Sequence, residues 1–194
     1  MQVPSIIFII PYRNRQSEKA TFLSVMSPLL EQLNAEIFIA HQCDNRPFNR
    51  GAMRNIGFLA VKNKYPNDYT NITLVFNDVD TYPNPEVDYL PNYVTEKGIV
   101  KHFYGFTYTL GGIFSMNASD FERVGGYPNF WAWGYEDNAL NMRCIKSGIT
   151  IDRTDFVNVL NRGEETRIIN VKDQPYRVLN YAEFQRYRKG TLEG

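Results

Sequence analysis

Three short apolar runs, each giving way to a polar cluster, constrain this chain more than any other feature of its sequence. Residues 6–10 (IIFII) are continuous β-branched and aromatic side chains closed by Pro11. That is the pattern of a strand buried on both faces. Residues 36–40 (EIFIA) and 73–76 (TLVF) repeat it. Between them, residues 17–33 and 51–64 carry apolar side chains at helical spacing. Pro28 is expected to kink or break the first helix. Met53, Ile56, Leu59 and Ala60 are expected to form the inner side of the second. A β-α-β-α-β order predicts a parallel sheet with helices on its faces.

The second half reads differently. Residues 84–93 are rich in Pro and Asn and predict irregular surface. Residues 99–109 alternate as a half-buried antiparallel strand does, and Gly111-Gly112 leads into a further strand at 113–116. Residues 118–124 predict a short helix closed by Gly125-Gly126. Residues 136–146 predict another, with Ala139, Leu140, Met142 and Ile145 inward and Gly148 as its stop. No repeat or linker divides the chain, so residues 1–194 are expected to form one domain.

The 194 residues carry 21 Lys+Arg and 21 Asp+Glu, and 43% are hydrophobic. That apolar content excludes intrinsic disorder. Balanced charge argues against a nucleic-acid partner, which requires a basic excess. No apolar stretch reaches the roughly 18 residues needed to span a bilayer, nor is there a signal h-region. A cytoplasmic location is therefore expected, with a Golgi-type one only if an upstream anchor has been removed. Two distant cysteines, Cys43 and Cys144, make no disulfide framework. His41 and His102 lack metal-ligand spacing and are read as structural. P-loop, G-x-G-x-x-G and G-x-S-x-G patterns are absent, which removes ATPase, dinucleotide dehydrogenase and α/β-hydrolase readings. A sugar nucleotidyltransferase needs a Gly-rich loop after the first strand, and IPYRNR has no glycine.

Ligands of open α/β sheets bind beyond the carboxyl ends of the strands. Here those ends carry Pro11-Tyr12-Arg13-Asn14-Arg15, Phe48-Asn49-Arg50-Gly51 and Asp78-Val79-Asp80. Arginine forks and paired carboxylates suggest a divalent cation bridging a pyrophosphate. In an extended segment Asp78 and Asp80 point the same way. A fourth cluster, Trp131 to Asn138, sets two indoles, a phenol and two acids at a helix start. Helix-dipole stabilisation keeps Asp137 ionised there, as a general base requires. Trp133 and Tyr135 offer flat faces for a sugar ring.

These clusters, in this order, resemble the β-1,4-galactosyltransferase family, glycosyltransferase family 7. The similarity is carried by IPYRNR (10–15), FNRGAMRNIGF (48–58), FNDVDTYP (76–83), GGIFSMNASDFERVGGYPN (111–129) and FWAWGYEDNAL (130–140). The resemblance implies an α/β fold of glycosyltransferase-A type: a central, mostly parallel mixed sheet flanked by helices. It also implies inverting transfer of a UDP-linked sugar, with manganese or another divalent cation, to a glycan acceptor. Carried over, Pro11, Tyr12, Arg13, Arg15, Phe48 and Arg50 would face the nucleotide, with Asp78, Val79 and Gly112 also on the donor side. Asp80 would ligate the metal. Trp133, Tyr135, Glu136 and Asp137 would meet the acceptor, Asp137 as the base.

Three departures stand out. Val157 and Leu160 occupy the places of the family's Met-x-x-His metal ligands, leaving Asn158, Asn161 or Glu164 as substitutes, or a metal held by Asp80, phosphates and water. Tyr135 replaces a glycine and Asn138 an acid. Thr109 stands where a larger tyrosine often restricts the donor pocket, which opens N-acetylgalactosamine beside galactose as donor sugar. The alternative reading is a non-catalytic nucleotide-sugar or glycan-binding module on the same fold.

Overall fold

A computed structural model of the chain describes residues 2–131, 133–160, 167–171 and 181–188. The first half forms β1 (Ile6–Tyr12), α1 (Gln16–Gln32), β2 (Glu36–His41), α2 (Arg50–Lys64), β3 (Thr73–Phe76) and β4 (Thr81–Pro83). The second half adds β5 (Ile99–Gly105), β6 (Ile113–Asn117), α3 (Ala118–Arg123), α4 (Glu136–Lys146), β7 (Thr150–Asp152), β8 (Val157–Asn158), β9 (Ile168–Asn170) and α5 (Tyr181–Arg188).

The main sheet runs β2-β1-β3-β6-β5-β7, with β8 also pairing β5, while β4 and β9 form a separate antiparallel pair. β1, β2 and β3 are mutually parallel; β6 is antiparallel to both β3 and β5. The carboxyl ends of β1, β2, β3 and β5 therefore share one edge of the sheet, and the β5–β6 connection turns at that same edge. Sheet alternation sorts the core into two faces. Ile7, Ile9, Leu74, Phe76, Phe114 and Met116 pack with Phe58 and Val61 of α2, Phe121 of α3, and Leu140 and Cys144 of α4. Ile6, Phe8, Ile10, Val75 and Ile113 pack with Phe22, Met26 and Leu30 of α1 and with Tyr93.

Four details differ from the sequence expectations. β1 does not stop at Pro11 but continues to Tyr12. Past Ile9 it pairs only with β2, so no β3 partner awaits the N–H that proline lacks. α1 runs unbroken through Pro28. Phe22 and Met26 before the proline and Leu30 after it are all buried on the sheet. Burial of three such side chains, at about 1.5–3 kcal/mol each, outweighs a local penalty of about 3 kcal/mol. In α2 the inner face is Met53, Arg54, Gly57, Phe58 and Val61, whereas Ile56, Leu59 and Ala60 face solvent. In α4 it is Cys144, and not Ile145, that turns inward.

Candidate active site

The shared edge gathers charged residues from four separate elements. Asn49 caps α2, its side chain accepting from the Ala52 N–H (2.9 Å) and donating to Asn129 Oδ1 (2.6 Å). Buried Gln42 fastens the preceding loop: its Oε1 accepts from the Asn49 N–H (2.8 Å) and its Nε2 donates to Asp44 (2.8 Å). Arg50 is thereby presented from the first turn of α2. Its fork donates bidentately to Asp78 (Nε to Oδ1 and Nη2 to Oδ2, both 2.7 Å). Its Nη1 donates to both oxygens of Asp137 (2.7 and 2.8 Å) and to Glu136 Oε1 (3.0 Å). One turn on, Arg54 donates to Asp78 Oδ1 (3.0 Å), to Asp137 Oδ1 (3.3 Å) and to the Tyr127 hydroxyl.

Three carboxylates, Asp78, Glu136 and Asp137, thus share two guanidinium groups, leaving the cluster one negative charge in excess. Burial pushes the Asp137 carboxyl up to about 6; Arg50 and Arg54 oppose that shift, and the Glu136 and Asp78 charges add to it. The helix dipole alone does not keep this group in the ordinary carboxylate range. Although burial opposes its charge, Arg50 is held well above its usual range by Asp137 and Asp78. Asp80 is also raised, by burial and by Asp78, with Arg15 Nη1 4.0 Å from its Oδ2 and the Thr81 hydroxyl donating to Oδ1 (3.1 Å).

The β5–β6 turn supplies room. A Cβ on Gly111 would lie 2.5 Å from Asp137 Oδ2, and one on Gly112 (φ +70°) would lie 2.3 Å from the Tyr104 carbonyl. Thr109 is buried beside them, its carbonyl accepting from Arg153. His102 is structural, as expected: its Nε2 meets the Tyr104 and Gly111 carbonyls (both 3.0 Å) and its Nδ1 accepts from Arg153 (3.1 Å). Burial pushes it down to about 4, so the ring is neutral.

Of the residues singled out from sequence, Arg50, Asp78, Glu136 and Asp137 meet directly. Asp80 lies two residues beyond Asp78 at the same strand end. Tyr12 closes β1 and Arg13 and Arg15 follow it, while Phe48 precedes the Asn49 cap of α2. Arg13 donates to the Arg46 carbonyl, and the Arg46 guanidinium lies over the Trp131 ring (4.0 Å to the centroid). Arg15 donates to Glu18 (2.8 Å). Tyr12 is buried edge-on against His41. Pro11 and Val79 are buried, Val79 in the core under α1. Trp133 is exposed at 39%. Tyr135 takes a left-handed backbone (φ +68°) ahead of α4, and its ring stacks on Phe184 of α5 (4.2 Å, 12°). Arg54, Gln42 and Gly111 are not among the site residues expected from the sequence.

The donor set suits a hard divalent cation only in part. Asp80 offers a carboxylate, but among the described residues no group of three or more His, Cys, Asp or Glu is arranged to hold a metal ion. Val157 pairs with Tyr104 in β8, Leu160 is exposed, and the Asn158 side chain accepts from the Leu160 N–H (2.9 Å). Asn161 and Glu164 lie outside the described residues. A cation at Asp80 would therefore complete its shell with phosphate and water oxygens, the ligands such ions favour.

Strand-end acids and arginines at the open edge of a mixed α/β sheet define a glycosyltransferase-A type architecture. Residues 2–91 match the N-terminal region of glycosyl transferase group 7, and residues 99–168 the N-terminal domain of galactosyltransferase. The chain belongs to glycosyltransferase family 7. It is 29% identical over 160 residues to β-1,4-galactosyltransferase 5 of Mus musculus (77% of this chain, 40% of that protein). To the xylosylprotein 4-β-galactosyltransferase of Caenorhabditis elegans it is 33% identical over 158 residues (75% and 52%). The crystal structure of a Drosophila β-1,4-galactosyltransferase 7 mutant with manganese, UDP-Gal and xylobiose superposes with a TM-score of 0.67 at 21% identity, covering 95% of this chain and 80% of that one. The chain spans about 40% of the length of the curated relatives it first matches.

Proposed function

We propose that this chain transfers galactose or N-acetylgalactosamine from a UDP-sugar to a hydroxyl of a glycan, with inversion and with Asp137 as general base. The observation that carries the reading is the position of Asp137. It is a half-buried carboxylate raised to about 6, joined through one arginine to Asp78 at the end of β3. A base with an affinity for protons near the working pH is efficient. Arg13 and Arg15 would supply planar donors to the diphosphate, Arg50 and Asp78 would orient the donor, and Glu136 would hold the acceptor through its hydroxyls. As the acceptor oxygen bonds to the anomeric carbon, its proton passes to Asp137 and the bond to the diphosphate breaks on the opposite face. A divalent cation bound at Asp80 would offset the charge on departing UDP. The family match supports the reaction class, and the ligands in the Drosophila structure support the donor and the cation.

The test compares wild type with Asp137→Asn. Asparagine cancels the excess charge of the cluster, so Arg50 and Arg54 stay matched by Asp78 and Glu136 and the fold is retained. Turnover of UDP-galactose with manganese should fall by about 10²–10⁴, the usual contribution of a general base, with UDP affinity by calorimetry kept. Equal turnover in the two proteins refutes the base assignment. UDP binding without turnover on any glycoside would mark a non-catalytic binding module.

A further inference from the structure

Resting on the reading just given, we propose that Arg54 is a positioning residue. Its buried guanidinium ties Asp137 to Asp78 and holds Asp137 as an ionised carboxylate in a single orientation, without reaching the substrate itself.

Arg54 is fully buried in the second turn of α2, a location where a cation is retained only if its charge is matched. Its two terminal nitrogens divide the work. Nη2 donates to Asp78 Oδ1, while Nη1 donates to Asp137 Oδ1 and to the Tyr127 hydroxyl. The rings of Phe76, Phe114 and Tyr127 lie within 5.8 Å of the guanidinium carbon, which leaves the fork little freedom to rotate. One rigid side chain therefore spans an acid from the end of β3 and an acid from the first turn of α4, two elements otherwise separate in sequence.

Arg50 cannot do this alone. It is partly accessible and serves three carboxylates at once. On Asp137, Arg54 touches only Oδ1, whereas Oδ2 sits over Gly111, where the missing Cβ leaves space. The two oxygens are consequently inequivalent. Oδ1 is loaded by two guanidiniums, and Oδ2, bonded only to Arg50, is the more basic oxygen and the one suited to take a proton. The charged and titratable groups facing Asp137 are Arg50 and Arg54 from α2, Asp78 after β3, Tyr127 after α3 and Glu136 on its own helix. Arg54 is the only one of these cations that does not also lie at the open face of the cluster.

The experiment uses the full chain with Arg54→Leu, Arg54→Lys and Tyr127→Phe. The Asp137 carboxyl is titrated by carbon-13 NMR without ligands, and UDP release from UDP-galactose with manganese, water serving as acceptor, is followed against pH. Arg54→Leu should raise the Asp137 midpoint by about one unit, a tenfold gain in proton affinity, and move the acid limb of UDP release with it. Arg54→Lys keeps the charge but cannot bridge both acids. It should hold the midpoint near that of wild type while lowering kcat severalfold with little change in KM for UDP-galactose. Tyr127→Phe should leave the midpoint unchanged. An unaltered midpoint in Arg54→Leu overturns the proposal. Should that variant fail to fold, Arg54→Lys with wild-type kcat overturns it. If wild type releases no UDP, the transferase reading fails, and the NMR arm still decides the role of Arg54.

Discussion

Gly111 shows how a single atom's space sets the chemistry of a site. Its φ is not in the left-handed region, so the backbone would accept alanine, but the added Cβ would lie 2.5 Å from Asp137 Oδ2 and 3.1 Å from its Cγ. The carboxylate must move, and a shift of about 1 Å in a reacting group costs about 10²-fold in rate. Gly111→Ala should therefore lower UDP-galactose turnover by that factor while UDP affinity, measured calorimetrically, stays the same; unchanged turnover would remove Oδ2 from the reaction. At this scale Asp78, Asp80, Asp137 and Arg50 were legible because polar residues directly after an apolar strand, or in a first helical turn, have few structural reasons to be there. Arg54 was not, because a charged residue in a helix is ordinarily read as solvated. The signal that could have found it is spacing. Arg54 follows Arg50 by four residues, one turn along the same face, and Phe58 continues that row into the core.

Among the elements, α2 departs furthest from its sequence pattern. Its apolar residues are spread around the helix, and the sheet selects the face on which Gly57 allows closest approach. A Cβ at Gly57 would lie 2.4 Å from Ile9 Cγ2, on a central strand paired on both sides. Alanine favours a helix by about 1 kcal/mol over glycine, but overpacking against a fixed strand costs about 1–3 kcal/mol. Gly57→Ala should thus destabilise by up to about 2 kcal/mol in urea melts, and in an Ile9→Ala background the same change should become neutral or stabilising. Equal effects in both backgrounds would show that the contact does not limit helix approach. Ile56 and Leu59 looked like core residues for want of this information: periodicity alone ranks apolar stripes, and a glycine that permits contact contributes nothing to it. The strands were more legible, because a buried strand has no outward face to mistake. The same limit applies to α4, where Cys144 took the inward place expected of Ile145. It applies also to Tyr135, whose ring anchors α5, an element from the part of the sequence with the weakest periodicity.

For the whole molecule, two groups, buried His102 and half-buried Asp137, pull stability in opposite directions as pH falls. His102 is held at about 4 against an ordinary 6.5, so the unfolded chain takes up its proton first. The stability it contributes is complete above about pH 6.5 and is lost as pH drops toward 4, a loss on the order of 3 kcal/mol. Asp137 is the reverse case, raised from 3.8 to about 6. Its ionisation penalises the native state above pH 6, and protonation between 6 and 4 returns stability of similar size. In wild type the two slopes largely cancel over this interval. Carboxylates such as Glu36 and Asp152, lowered in the native state, add a common acid-side loss that drops out when variants are compared. Asp137→Asn lacks the compensating gain, so its stability should fall more steeply than wild type between about pH 6.5 and 4.5. His102→Gln, lacking the opposing loss, should fall less steeply than wild type or rise. Urea denaturation midpoints of the three proteins across that range measure both slopes. Parallel curves would mean that neither burial nor the guanidinium cluster perturbs these groups, and with that the electrostatic account of the site would fail.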